Sequence, residues 1–147
     1  MPANSLRITV AAQEILAYRG NALILPLMEG GGQLRGAARS LDAALQGAIT
    51  RAIQETSFRG TLSERTLLYP LGRPGVERLL LIGLGKASEL TQDRLRHATG
   101  EALRHLRGLR ARKVAIVCHD AAWEGLSGGT IGEAIAEGAL LDRKSVV

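Results

Sequence analysis

The sequence predicts an α/β domain in which helices cover both faces of a mixed, largely parallel sheet. Two apolar runs carry this prediction, LLLI at 79–82 and VAIVC at 114–118, because neither alternates with polar residues as a half-exposed strand would. Helical patterns separate the predicted strands along the chain. Hydrophobic residues make up 46% of the chain and aromatic residues only 3%, so the core should be mostly aliphatic.

The first two predicted strands lie near the N-terminus. Apolar and polar residues alternate over 6–10, which is typical of a half-buried strand near a sheet edge. A short apolar run follows at 22–28. Because Pro26 cannot donate a backbone hydrogen bond, we expect it near a strand end or on an exposed edge.

A helix is predicted over 40–56, where apolar residues recur at spacings of three and four. Ser40 is the expected N-cap, and Asp42 would favour the positive end of this helix. A strand is predicted over 65–71, followed by a turn at 73–75.

The C-terminal half has the strongest patterns. A central strand is predicted over 76–84, and a long helix over 91–109 with one apolar stripe. A buried strand is predicted over 113–118. Thr130 and Glu133 match a capping box, which predicts a last helix over 130–141.

Composition bounds the setting of the protein. The single cysteine, Cys118, allows no internal disulfide, and we expect a reducing, cytoplasmic location. No apolar run approaches the roughly 18 residues that a membrane span needs, and the N-terminus lacks a secretory pattern. The formal net charge of +5 permits polyanion binding without requiring it.

Glycine-rich segments are candidates for phosphate binding. Gly83-Leu84-Gly85-Lys86 lies between a predicted strand and a predicted helix, where anions often bind. It matches neither phosphate-binding pattern, since Leu80, Ala87 and Ser88 stand where glycine, Ser/Thr and glycine are needed. A tight exit from the strand is the favoured interpretation. Gly30-Gly31-Gly32 is likewise interpreted as a surface loop.

Histidine, cysteine and serine candidates are isolated. His119-Asp120 ends a predicted strand, but no metal-binding spacing accompanies it. His97 and His105 lie eight residues apart on the long helix, and structural or solvated roles are favoured for them. Cys118 is expected to be a small buried hydrophobe. Ser127 matches G-x-S-x-G, but within a loop rather than a strand-to-helix turn.

Arginines form a row on the predicted helix 91–109. Arg96, Arg104 and Arg107 lie opposite the apolar stripe and are candidate contacts for nucleic-acid phosphates. No aromatic residue is interleaved for base stacking. A solvated helix face is therefore favoured over a nucleic-acid site.

Longer motifs carry a family resemblance. These are S-L-D-A-A-L-x-G-A-I at 40–49, the F-x-G turn at 58–60, L-I-G-L-G-K at 81–86 and G-E-A-I-A-E-G-A-L-L at 132–141. Together they resemble the N-terminal domain of cytosolic leucyl aminopeptidases, the M17 metallopeptidase family.

The resemblance implies a macro-like three-layer α/β/α sandwich for a single domain spanning 1–147. It implies a separate C-terminal catalytic domain with two divalent metals, zinc or manganese, that is absent from this chain. Family members form hexamers, and some bacterial ones bind DNA. No catalytic, cofactor-binding or metal-binding residue is predicted here, and the expected role is assembly and control of access to the active site. A macro-like nucleotide or ADP-ribose-binding module and a DNA-binding domain remain alternatives.

Overall fold

The computed structural model describes residues 7–11, 20–30, 34, 36–70 and 76–117. Its strands are β1 (Arg7–Ala11), β2 (Gly20–Leu27), β3 (Arg65–Leu68), β4 (Val76–Gly83) and β5 (Lys113–Val117). Its helices are α1 (Gly36–Ala44), α2 (Ala48–Thr56) and α3 (Gln92–Gly108), with a short 3-10 helix at Ala87–Glu89.

The described strands form one sheet in the order β1-β5-β2-β4-β3. All neighbouring strands run parallel except β3, which is antiparallel to β4. In register, Ile24 of β2 lies between Leu80 of β4 and Ile116 of β5. The prediction of a mixed, largely parallel sheet is confirmed, and among the described strands so is the edge position of the first one.

Helices cover both faces of this sheet. Leu80 and Ile82 of β4 pack beneath α3, whereas Leu79 and Leu81 pack beneath α1 and α2. All four side chains are fully buried. Apolar and polar residues do not alternate at 79–82 because β4 is covered on both faces. The domain therefore has three layers, with the sheet between two layers of helices.

The predicted helix over 40–56 is two helices. Gln46 and Gly47, with φ of 56° and 79°, adopt the left-handed conformation that ends α1. Ser40 lies inside α1, which begins at Gly36, so its prediction as an N-cap is wrong. The apolar spacing of three and four residues continues across the break, because α1 and α2 bury their apolar side chains on the same face of the sheet.

Asp42 has a capping role, but for the second helix. Its carboxylate accepts hydrogen bonds from the backbone N–H of Ile49 at 2.8 Å and of Thr50 at 3.1 Å. It also accepts one from the Thr50 hydroxyl at 2.6 Å. These amides belong to the first turn of α2, whose N-cap residue is Gly47 and has no side chain to offer. Asp42 therefore links α1 to α2.

Pro26 is buried in an interior strand, one residue before the end of β2. The Leu27 carbonyl accepts a hydrogen bond from the amide of Leu84, which follows β4. Because backbone groups alternate sides along a strand, the nitrogen of Pro26 faces β5. The described pairing with β5 runs only from Ala22 to Ile24. The strand-end prediction is therefore confirmed, and the exposed-edge alternative is wrong.

The remaining boundaries shift little. Thr91 caps α3 by accepting a hydrogen bond from the Arg94 amide at 3.1 Å. The strand predicted over 65–71 is shorter, since β3 ends at Leu68. The predicted turn at 73–75 and helix at 130–141 lie outside the described residues.

Candidate functional site

The carboxyl ends of β2 and β4 meet the loop after α2 at a strand-end junction, formed by residues 27–29, 58–64 and 83–85. All three backbone amides of 83–85 donate to carbonyls within this junction. The acceptors, in order, are Glu64 at 2.8 Å, Leu27 at 2.9 Å and Gly60 at 2.9 Å. A phosphate-binding loop needs free amides that point at the ligand. These amides could bind a phosphate only after breaking their present hydrogen bonds.

Two glycines are required here by the approach of other backbone segments. A Cβ on Gly83 would lie 2.0 Å from the carbonyl oxygen of Thr61. Gly60 has φ of +83°, and a Cβ on it would lie 2.7 Å from the Met28 carbonyl oxygen. The structure thus supports a tight strand exit as the reason for the glycine at position 83.

The Glu64 side chain occupies the centre of the loop in this junction. Its Oε1 accepts hydrogen bonds from the three consecutive amides of residues 59–61, at 3.1, 3.0 and 3.2 Å. The Thr61 hydroxyl donates to the same oxygen at 3.1 Å. Successive amides that converge in this way form an anion-binding nest. Here the anion is a carboxylate of the chain itself.

Lys86 is exposed and does not complete a phosphate site. The 3-10 helix at Ala87–Glu89 separates it from α3, which begins only at Gln92. The α3 N-terminus is capped by Thr91. The resemblance of 83–86 to a phosphate-binding loop therefore does not extend to its geometry.

The candidate arginines occupy different environments on α3. Arg96 forms an ion pair with Asp93, and its side chain is 30% exposed. Arg104 is exposed, whereas Arg107 is half-buried. The charge of Arg96, a member of the row predicted from the sequence, is thus already paired with a carboxylate.

Positive charge is concentrated where α3 ends and β5 begins. No acidic residue lies between positions 102 and 113. The cations of this segment, which we call the basic end, are Arg104, Arg107, Arg110, Arg112 and Lys113. Cations are favourable at a helix C-terminus, where the macrodipole is negative. The basic end lies at the amino ends of the parallel strands, opposite the strand-end junction.

Asn21 fixes the backbone of the basic end. Its Oδ1 accepts hydrogen bonds from the amides of Arg112 at 2.9 Å and Lys113 at 2.8 Å. This contact joins the start of β2 to the start of β5 across more than ninety residues of sequence. Sequence periodicity gave no signal for it.

The two described histidines have separate surroundings. His97 is exposed, and its Nε2 lies 3.2 Å from Oε1 of Glu101. Burial lowers the pKa of His105 below its ordinary value of 6.5, and the positive charge of Arg65 lowers this pKa further. Cys118, His119, Asp120, Ser127, Gly31 and Gly32 lie outside the described residues.

The described part of the chain supports neither a metal site nor a membrane-spanning helix. Among those residues, no three His, Cys, Asp or Glu side chains cluster so as to hold a metal ion. None of the helices described is long and apolar enough to cross a membrane.

Solved structures with similar folds define the class of the domain. The macrodomain of Mycobacterium tuberculosis DarG aligns with a TM-score of 0.72 at 14% identity, covering 93% of this chain and 92% of that one. A mutant of tomato leucine aminopeptidase aligns with a TM-score of 0.73 at 22% identity, covering 94% of this chain and 28% of that one. The macro-like α/β/α fold is therefore confirmed.

Sequence comparison gives the family. Residues 24–143 match the cytosol aminopeptidase family, N-terminal domain, and the chain belongs to this family. A probable cytosol aminopeptidase of Geobacter sulfurreducens is 36% identical over 115 residues, which is 78% of this chain and 23% of that protein. One from Alkaliphilus oremlandii is 29% identical over 134 residues, covering 91% and 27%. The chain spans about a quarter of the length of these relatives.

Proposed function

We propose that this chain is the non-catalytic N-terminal domain of a metal-dependent leucyl aminopeptidase. Its role is assembly of the enzyme and control of substrate access to the active site. The observation that carries the proposal is the match of residues 24–143 to the N-terminal domain of the cytosol aminopeptidase family. At the strand-end junction, the amides of 83–85 and 59–61 donate to groups of the chain itself, which argues against nucleotide binding there.

The chemistry of the whole enzyme is assigned to a separate C-terminal domain. Two divalent ions, zinc or manganese, would activate water against the N-terminal peptide bond there. The described residues of this chain do not fit such a centre, since none of them form a cluster of three metal-binding side chains. In this proposal, residues 1–147 are one domain, its first partner is the catalytic domain, the assembly is a hexamer and the location is the cytosol.

A domain exchange tests this role. In the Geobacter sulfurreducens relative, the N-terminal segment that matches this chain is either replaced by it or deleted. We expect the exchanged protein to keep the assembly size in light scattering and the parent ratio of kcat/KM for a dipeptide to that for a longer peptide. The deleted protein should lose its assembly or change this ratio. A deletion that alters neither quantity would contradict the proposal.

Weak DNA binding is a second candidate, favoured by the charge of the basic end. Arg104 and Arg107 lie in it, and Arg96 lies two turns earlier on α3. Three arginines neutralise about three phosphates, so log K should fall against log salt concentration with a slope of about −2.7 or less steeply. Such binding would be independent of DNA sequence.

A nucleotide-binding role ranks below both. The likeness to a macrodomain concerns the fold, and the amides of 83–85 are already occupied by carbonyls. We expect calorimetry to give no dissociation constant below about 10 μM for ADP-ribose or ATP, which corresponds to roughly −7 kcal/mol. Tighter binding would move the nucleotide role to first place.

A further inference from the structure

We propose that residues 59–61 form a binding site for a small oxyanion, and that the carboxylate of Glu64 is the anion that occupies it. With the Glu64 side chain removed, the ligand class that the site would take is a carboxylate or a phosphate. The proposal goes beyond the assembly role, which is tested separately by the domain exchange.

The site is built by the backbone. The amides of Arg59, Gly60 and Thr61 lie 3.0–3.2 Å from one carboxylate oxygen, together with the Thr61 hydroxyl. The left-handed conformation of Gly60 turns consecutive amides toward a common point, as in other anion nests. A charged acceptor strengthens each of these hydrogen bonds.

The nest is also bonded to the end of β4 on two sides. The Gly60 carbonyl accepts from the Gly85 amide at 2.9 Å, and the Glu64 carbonyl accepts from the Gly83 amide at 2.8 Å. Ser63 donates its amide to the Gly83 carbonyl at 2.9 Å. An anion in the nest therefore stabilises the junction as a whole, and loss of the anion should lower the thermal stability of the protein.

The tether predicts that an outside anion competes poorly with Glu64 in the parent protein. Glu64 lies only three to five residues from the amides it contacts. A short connection gives its carboxylate an effective concentration of millimolar order or above. A free oxyanion at lower concentration cannot displace it. Removing the carboxylate should open the same nest to free anions.

Chemical rescue tests the proposal on the full 147-residue chain. Glu64→Ala should lower Tm by about 3 °C or more, in line with the loss of 1 kcal/mol or more in a domain of this size. Sodium formate at constant ionic strength should restore at least half of that loss relative to sodium chloride. Phosphate should act in the same direction.

Three controls identify the site. The parent, Glu55→Ala on the exposed surface of α2, and Glu64→Gln should respond to formate and chloride alike. Glu64→Gln keeps a side-chain oxygen for the same amides, so its Tm should lie between the parent and Glu64→Ala. If Glu64→Ala does not fold, Glu64→Asp provides the same test, because its carboxylate is one methylene short of the nest. Unchanged Tm in Glu64→Ala overturns the proposal. A rise in Tm with formate that is equal in all variants also overturns it. A failure of formate to restore Tm in both Glu64→Ala and Glu64→Asp does so too.

Discussion

The two ends of the sheet are built in opposite ways. At the strand-end junction, backbone groups hydrogen-bond to one another. Two glycines there lie so close to neighbouring backbone segments that a Cβ atom would not fit. At the basic end, the exposed groups are long cationic side chains, and one side chain, Asn21, fixes the backbone beneath them. Substitutions should therefore alter stability at the first end and surface association at the second.

Gly83→Ala should have the largest effect on stability. Its methyl group would lie 2.0 Å from the Thr61 carbonyl oxygen, so the junction must separate to admit it. We expect a loss of about 3 kcal/mol or more, at the high end for single substitutions, measured by urea unfolding. Gly108→Ala is the matched control, because nothing lies within 4 Å of its added Cβ. It should be neutral or stabilise α3 by up to about 1 kcal/mol. Equal effects of the two substitutions would refute the packing argument.

Asp42→Ala should have an intermediate effect. It removes the acceptor of two amides and one hydroxyl at the start of α2, and such caps contribute about 0.5–2 kcal/mol. Asp42→Asn should lose less, because one side-chain oxygen remains to accept. Glu55→Ala is the surface control and should change stability by no more than about 0.5 kcal/mol. A loss for Asp42→Ala within the control range would show that the carboxylate does not cap α2.

A triple variant with Arg96, Arg104 and Arg107 replaced by Gln tests the arginines of α3, two of which lie in the basic end. The apolar face of α3 is untouched, so we expect normal folding with a stability loss below about 1 kcal/mol. If the protein binds DNA, the variant should lose most of its retention on a duplex fragment at low salt. Parent-like DNA binding by the variant would move the contact to another surface. Nanomolar, sequence-specific binding by the parent in physiological salt would make DNA recognition the main function.

His105 should give the smallest effect, a weak pH dependence of stability. Its pKa is lower in the folded chain than the ordinary 6.5, so the unfolded chain binds its proton more readily. Stability is therefore complete above pH 6.5 and decreases as the pH falls from there toward the folded pKa. His105→Gln should remove this part of the pH profile, and Arg65→Gln should reduce it. A parent and His105→Gln variant with superimposable profiles would disprove the assignment.

The parts of the fold that the sequence predicts are those with strong side-chain periodicity. Residues 79–82 are apolar on both faces of a covered strand, and the stripe of α3 repeats with the helical period. The break between α1 and α2 was missed because it depends on backbone conformation at Gln46 and Gly47. Apolar spacing continues through the break, and a left-handed Gln has no sequence signature of its own.

The candidate site was less predictable than the fold. The glycines of 83–85 indicate a tight strand exit from the sequence alone. The carbonyls that accept hydrogen bonds from the 83–85 amides could not be predicted, because they come from two other segments. The Glu64 contact joins a side chain to nearby backbone amides, and such local bonds follow no period. The F-x-G turn followed by an acidic residue four positions later was the available signal. The charge pattern of the sequence indicates the arginines as candidate phosphate contacts. The ion pair between Arg96 and Asp93 is seen only in the structure.

The most direct test of the proposed non-catalytic role is turnover of a leucine chromogenic amide by the purified 147-residue chain. The assay uses added manganese or zinc, and the Geobacter sulfurreducens relative serves as the positive control. Circular dichroism verifies that the assayed chain is folded. We expect no hydrolysis above buffer with either metal. Metal-dependent hydrolysis that co-purifies with the folded chain would contradict it.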